Sequence, residues 1–445
     1  MRNPEATEPR ASVLDCGDSP PLSDPFPLGE GTALHSPFPI PHSLTSLPAI
    51  IPVIARWREI SASRTITTLS PAAVAALYER ELHTSVSKLE QFAECPFKFF
   101  VAAGLGAQER KKFEVDHRER GSFIHRLLDE FHIRVTASNR RWRDLSPAEA
   151  AELAARVGED LLATPEFTLF AADESRRFAA RTLIASAQRL LAALVGWMPA
   201  YAFDPAAVEL GFGLPGSRMP AWRLELHDGR ALSLRGRIDR VDLLHDEKSG
   251  ETLAVVVDYK SSPKKLDPLR IKHGLQLQLL AYLNVLTSAA ATQHPVGVFY
   301  IPLHGAAGST GERTEIVSED EAARSATYQH AGRFDLAHLP HLDSRARDLP
   351  SGQFRYQLNK AGGIIASRSD ARPTDEFAAL LTQVEANLRS LGEAIFAGEI
   401  SVSPVRLSAS EKACDRCDYR PICRFDPWTQ SYRTLAKSVA EEEEP

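Results

Sequence analysis

The sequence predicts an α/β fold, a mixed central sheet flanked by helices, with a helical insert. Three observations predict it. Apolar residues keep a helical period up to about residue 202 and a period of two beyond it. The run Ala254-Val255-Val256-Val257 is continuously apolar, as in a strand buried on both faces. A helix over 274–286 then separates that strand from another at Val296–Leu303, a layout of strands joined through flanking helices.

Residues 1–80 form a proline-rich lead, because eleven of the thirty prolines precede residue 56 and proline removes amide donors. A helix is expected from about Pro71 to Leu82. The folded body is expected over 84–427. It opens with TSVSKLEQFAECPFKFF, where Ser85 or Ser87 followed by Glu90 reads as a local helix cap. The helix GSFIHRLLDEFHIRV has Gly121 at its head, His125 one turn in, and Phe123, Leu127, Leu128 and Phe131 toward a core. Over about 140–202 the pattern is almost all helix, opened by the capping box Ser146 to Glu149 with proline at the first helical position. Its Arg176, Arg177, Arg181 and Arg189 read as a solvated face. Strands are expected at Val208–Phe212, Trp222–His227, Ala231–Leu244, Thr252–Tyr259 and Val296–Leu303. Residues 304–372 read as polar loop. A last helix runs about 375–397, with Thr374 as its cap and Gly398 beyond its end. An acidic tail, 428–445, closes the chain.

With 445 residues there is room for two or three domains. The net charge of −6 excludes a generally basic nucleic-acid coat, so any nucleic-acid site must be a local basic groove. No run of about 18 apolar residues occurs, and the first residues lack a signal-like apolar core. The expectation is a cytoplasmic protein with no membrane partner. In a reducing compartment, five cysteines in so long a chain point to metal or redox chemistry, not a disulfide framework.

The segment VVVDYKSS carries chemistry where its strand should emerge. Alternation places Asp258 and Lys260 on one face and Tyr259 on the other. A carboxylate beside an ammonium can hold a divalent cation and steady an anion; an ordinary surface ion pair is the plain alternative. Asp239 in LSLRGRIDRVDLL, Glu209 in VELGF and His125 could meet Asp258 in such a fold. Magnesium takes oxygen ligands in octahedral geometry, and Asp239, Asp258 and the carbonyl of Tyr259 could supply the protein share. A bound metal can activate water and offset charge on a phosphoryl group, with Lys260 assisting. Against this, Arg237 and Arg240 flank Asp239 and invite a simple salt bridge, and a histidine on an amphipathic helix is commonly structural. Gln278 and Tyr282 lie four apart and share a helix face, to orient the lysine or contact a nucleotide; Gln276 should face elsewhere.

Cys414, Cys417 and Cys423 form C-x2-C-x5-C. Three thiols this close suggest zinc or a [4Fe–4S] cluster, and either needs a fourth ligand. Cys95 lies in the folded body and Cys16 in the lead. Using Cys95 would clip the two ends of the body together.

Together the ordered blocks SKLEQFAECPFKFF, GSFIH, VELGF, RGRIDRVD, VVDYKSS, LQLQLLAYL, VGVFYIPL and CDRCDYRPICRFD resemble the RecB-like branch of the PD-(D/E)xK nucleases. Within it they resemble the C-terminal nuclease domain of AddB-type helicase–nuclease proteins. The resemblance implies a restriction-endonuclease-like sheet with a C-terminal iron–sulfur segment over 414–423. It implies metal ligation by His125, Asp239, Asp258 and the Tyr259 carbonyl. Lys260 resembles the catalytic lysine, supported by Gln278, Tyr282 and Glu209. Cys95, Cys414, Cys417 and Cys423 resemble the ligands of a [4Fe–4S] cluster. The implied activity is a Mg²⁺-dependent exonuclease, with Mn²⁺ as the alternative metal, on single-stranded DNA ends in double-strand-break repair. A catalytically vestigial, cluster-stapled DNA-end-binding or scaffolding subunit is the alternative, and a zinc-binding structural protein a weaker one. Full-length AddB proteins carry a helicase-like region ahead of the nuclease. Residues 1–80 do not resemble it and no G-x-x-x-x-G-K loop occurs, so the expectation is a chain without its own motor: a stand-alone nuclease, a truncated gene product or a subunit that works with a separate helicase. Candidate groove charges are 108–120 and Lys264, Lys265, Arg270 and Lys272; solvated faces are an equal alternative.

Overall fold

The computed structural model describes residues 51–56, 67–108, 117–247, 250–290, 292–303, 327–346, 351–408, 410–428 and 430–435. The chain divides into two compact units, Met1–Thr65 and Ile66–Pro445. In the first, residues 51–56 are helical and the rest, Cys16 included, lies outside the described residues; residues 67–80 of the expected lead belong to the second unit.

The second unit opens on helix α1 (Pro71–Tyr78), capped by Ser70, whose hydroxyl accepts from the amide of Ala73 at 3.2 Å. The helix ends at a positive φ on Glu79, and Glu81–Thr84 is strand β1, not the continuation to Leu82 that the sequence suggested. Helix α2 (Val86–Glu94) follows, capped by Ser85. Helix α3 (His117–Ala137) starts before Gly121, which lies inside it. The insert holds α4 (Pro147–Leu162) and α5 (Glu174–Trp197). Ser146 and Glu149 form the expected reciprocal box, at 3.2 and 2.7 Å. Arg176 and Arg177 pair locally with Asp173 and Glu174, as a solvated face does. By length and composition α5 could cross a membrane; its Leu183, Ile184, Leu190, Leu191 and Leu194 pack into the core.

Among the described residues ten further strands follow: β2 (Asp204–Phe212), β3 (Trp222–Glu225), β4 (Ala231–Leu234), β5 (Gly236–His245), β6 (Thr252–Lys260), β7 (Gln293–Pro302), β8 (Ala331–Asp335), β9 (Ala371–Arg372), β10 (Val405–Arg406) and β11 (Arg433–Thr434). The single strand expected over Ala231–Leu244 is two strands in different sheets. At the break Arg235 donates its amide to Thr84, and a Cβ on Gly236 would lie 3.1 Å from the Phe212 ring. The sheet β1-β4-β3 is small, and β10 pairs with β11. The main sheet has order β2-β5-β6-β7-β8-β9 and is mixed: β6–β7 and β8–β9 are parallel, the other pairings antiparallel.

Helix α6 (Gln278–Ala289) links β6 to β7, and α7 (Thr374–Phe396) lies beside it. The sequence placed the start of α6 at residue 274; instead 274–277 form the turn before it. The hydroxyl of Thr374 binds Asp335 at 2.8 Å and does not cap α7. The stretch 304–372, read as loop, contributes β8 and β9; its residues 304–326 lie outside the described residues, as do 109–116 and 436–445.

Both faces of the main sheet are covered. Val255, Val257 and Tyr259 join a core with α3 and the insert helices, while Ala254 and Val256 join a second with α6 and α7. Leu253 through Tyr259 are each at most 3 % exposed, which explains the unbroken apolar run.

Candidate active site

The covered sheet brings β6 to its end with Asp258, Tyr259 and Lys260. Asp258 is 1 % exposed, and its Oδ2 contacts the Nζ of Lys260. Tyr259 points into the opposite core, as alternation requires. Asp239 on neighbouring β5 accepts from the Tyr259 amide through Oδ2 at 2.8 Å. Neither flanking arginine takes Asp239: Arg237 contacts Glu209 at 3.3 Å and Arg240 turns to Asp242. The salt bridges invited by the sequence are therefore made elsewhere.

His125 from α3 reaches the same corner. Its Nδ1 lies 3.0 Å from Glu209 Oε1 and 3.7 Å from Asp239 Oδ1. Ligand atoms of His125, Glu209 and Asp239 all fall within 4.8 Å of one another. Glu209 sits in β2 with φ of +51°, a left-handed conformation a glutamate seldom adopts, at a position between the paired Val208 and Leu210.

The electrostatics follow from crowding acids in a nearly dry corner. Burial, then the neighbouring Asp258 carboxylate, pushes the Asp239 carboxyl up to about 7. Burial pulls His125 down, but the hydrogen bond to Glu209 and the charge of Asp239 outweigh it and raise it above its ordinary value. For Glu209 burial acts upward, and His125 and Arg237 bring it below the usual range. These acids crowd where a cation would relieve them, so the donor set fits a hard divalent metal.

Gln278 and Tyr282 stand together on α6, with Gln278 Nε2 donating to the Tyr282 hydroxyl at 2.8 Å. Burial, opposed by Gln278 and reinforced by Asp258 and Asp239, holds the Tyr282 phenol well above its ordinary pKa. Gln276 precedes the helix and does not face away from the site as expected: it accepts from the Asp267 amide at 2.9 Å, donates to the Lys265 carbonyl at 2.8 Å and also meets the hydroxyl of Tyr300, whose ring lies under Lys260. Of the candidate groove charges, Arg270 pairs with Glu411 at 2.6 Å and Lys264 lies over the Tyr300 ring, which the catalytic candidate Lys260 also faces.

Two features escaped the sequence reading. Glu90 does not cap its own helix. Its Oε1 accepts from the amides of Leu277 and Gln278 at 2.6 and 2.8 Å, across the fold. Behind the site, Arg240 and Asp242 are 0 % exposed. Arg240 donates to the Tyr259 hydroxyl at 2.8 Å and to Asp242 at 2.9 Å; Tyr201 also donates to Asp242 at 2.9 Å. The alternation in RIDRVDLL does put Arg240 and Asp242 on one face, a signal that could have revealed the pair.

The cysteines converge as well. Cys95, Cys414, Cys417 and Cys423 are free and line one small cavity with Phe97, Val402, Pro404 and Phe425. Burial raises the Cys414 thiol to about 11, and the three other cysteines add to the rise. Four thiolates cannot ionise together there without a cation, so this all-sulfur set fits a soft metal centre, zinc or iron–sulfur. Hydrogen bonds also join the two ends: the Phe97 amide donates to the Ser401 carbonyl at 3.1 Å, and the Tyr419 hydroxyl to the Ala107 carbonyl at 2.9 Å.

Residues 83–424 match the family model described as PD-(D/E)XK nuclease superfamily. Several relatives are named as a subunit of the ATP-dependent helicase/deoxyribonuclease. The protein from Alkaliphilus metalliredigens is 30% identical over 366 residues, 81% of this chain and 31% of the relative. That from Moorella thermoacetica is 32% identical over 374 residues, 81% of this chain and 32% of the relative. That from Symbiobacterium thermophilum is 32% identical over 375 residues, 82% and 31%. The chain thus spans about a third of the length of the curated relatives it matches. With the mixed sheet and an acid–acid–lysine corner at the end of its buried strands, the match over 83–424 leads to one conclusion: this chain belongs to the PD-(D/E)XK nuclease superfamily.

Proposed function

We propose that this protein is a metal-dependent deoxyribonuclease, acting as an exonuclease on single-stranded DNA ends in double-strand-break repair. The convergence of Asp239, Asp258 and Lys260 at one strand end carries the reading. Asp239, Asp258, the Tyr259 carbonyl and His125 would hold Mg²⁺ or Mn²⁺. Such an ion, when bound, supplies an activated water and offsets charge at phosphorus. Glu209, 3.0 Å from Nδ1 of His125, would orient the ring by accepting from that nitrogen and leave Nε2 available as a ligand. Asp258 holds the Lys260 ammonium at the strand end, where it would orient the attacking water and meet phosphate charge. The four cysteines would hold a [4Fe–4S] cluster that clips the ends of the body. The name the relatives share supports DNA as substrate and a helicase as partner.

The test is degradation of end-labelled single-stranded DNA with Mg²⁺ by anaerobically purified protein beside Lys260→Ala. Cleavage by wild type alone, with both proteins folded, is the expected result, and 5′ and 3′ labels then give polarity. Folded, cluster-loaded wild type that leaves DNA intact across Mg²⁺ and Mn²⁺ would turn the reading to a DNA-end-binding protein.

A further inference from the structure

We propose that Glu90 is a positioning residue for the nuclease centre: its carboxylate pins the first turn of α6 and thereby sets Gln278 and Tyr282 against the acids. This rests on the nuclease reading above.

The first turn of any helix leaves amide hydrogens without intrahelical partners. In α6 the residue before the helix is Leu277, which gives no side-chain cap, and the first turn carries no acid of its own. Leu277 is 0 % exposed, so water is a poor substitute. One oxygen of Glu90, some 187 positions earlier in the chain, accepts both the Leu277 and Gln278 amides. Burial raises the Glu90 carboxyl above its ordinary pKa, while the two amides and the positive end of the helix favour its ionised form. Removing the carboxylate would leave the two amides, shielded in part from water, without their acceptor and would favour unwinding of the first turn.

That turn is where the site depends on α6. Gln278 is its first residue, and Gln278 holds the Tyr282 hydroxyl. Tyr282 packs edge-on against Phe212, with ring centroids 5.8 Å apart, beside Gly236 at the start of the Asp239 strand. A shift of the first turn therefore moves both side chains while the rest of α6 stays buried. Glu90 also lies on the helix that leads directly into Cys95, so the cysteine clip and the site share one support.

The experiment compares Glu90→Ala and Glu90→Gln in the full, metal-loaded protein. Glutamine keeps an acceptor oxygen in the same place. For Glu90→Ala we expect kcat on single-stranded DNA to fall about 10- to 100-fold with KM within a few-fold, the cost of a small misplacement. Glu90→Gln should recover most of the loss. Hydrogen exchange supplies a readout independent of cleavage: in Glu90→Ala the amides of Leu277 to Leu279 should lose protection while Leu283 to Leu286 keep theirs. Wild-type kcat in folded Glu90→Ala, or a Glu90→Gln as impaired as the alanine variant, would overturn the proposal. So would unchanged protection at Leu277 to Leu279. A wild type that never cleaves DNA, with exchange at that turn still dependent on Glu90, would instead overturn the nuclease reading alone.

Discussion

Changing Asp242 to leucine should unfold this protein far more readily than a single exposed ion pair would suggest. Arg240 and Asp242 are both 0 % exposed, with Nε of Arg240 2.8 Å from Oδ1 of Asp242. Asp242→Leu leaves a guanidinium in the core with the Tyr259 hydroxyl as its one acceptor among the described residues, and takes the acceptor of Tyr201. An uncompensated buried charge costs about 3–5 kcal/mol. The orphaned Tyr201 hydroxyl adds about 1 kcal/mol. Replacing both partners, Arg240→Met with Asp242→Leu, removes the stranded charge. What remains is the orphaned Tyr201 hydroxyl and the loss of stacking on Trp142 and Tyr259, at 5.4 and 5.8 Å. That leaves a cost of about 2–3 kcal/mol. Urea unfolding followed by tryptophan fluorescence and circular dichroism, under one set of conditions, measures Asp242→Leu, Arg240→Met and the double variant beside wild type. The double variant should be more stable than Asp242→Leu by about 2 kcal/mol or more. A loss below about 1 kcal/mol in Asp242→Leu, or a double variant as weak as the two single losses added, would refute the argument.

Two further outcomes follow from the same geometry. His330 is buried among Trp197, Phe299 and Phe354, and burial lowers its pKa to about 3. The fold therefore holds it neutral while the unfolded chain binds a proton below about pH 6.5, so this contribution falls as the pH drops from about 6.5 toward 3 and is constant above. By pH 5 it amounts to about 2 kcal/mol, so His330→Gln should lose that much less stability than wild type between pH 7 and pH 5 in urea titrations. Equal losses would show that His330 does not titrate across unfolding. Cys95→Ser should lower bound metal at the four-cysteine cavity and loosen the tie between residues 93–107 and 401–433, seen as faster proteolysis of the C-terminal segment. Unchanged metal content by elemental analysis would remove Cys95 from the ligand set.

Local signals carried much of the fold. The run Val255–Val257 marked the buried strand, and alternation put Asp258 with Lys260 and Tyr259 across from them. The box at Ser146 and Glu149 started its helix where expected. What the sequence hid lies in long-range partners. The break at Gly236 is invisible in a run of alternating apolar residues, because only the crowding of Phe212 and the pairing of Arg235 with Thr84 reveal it. Glu90 follows a serine at capping distance, and nothing local says that its partners are 187 and 188 positions away. Glu209 gave no hint of its left-handed backbone. The family resemblance gathered His125, Glu209 and Asp239 before their separations were known, and they meet at one corner.

The claim on which the rest depends is that Asp239 and Asp258 hold one divalent cation at the end of β6. Anomalous diffraction from crystals soaked in Mn²⁺, for wild type and Asp258→Asn, tests it most directly. The account predicts a single peak about 2.2 Å from both carboxylates in wild type, lost in the variant. A fully loaded wild type with its manganese elsewhere and both carboxylates bare would contradict it.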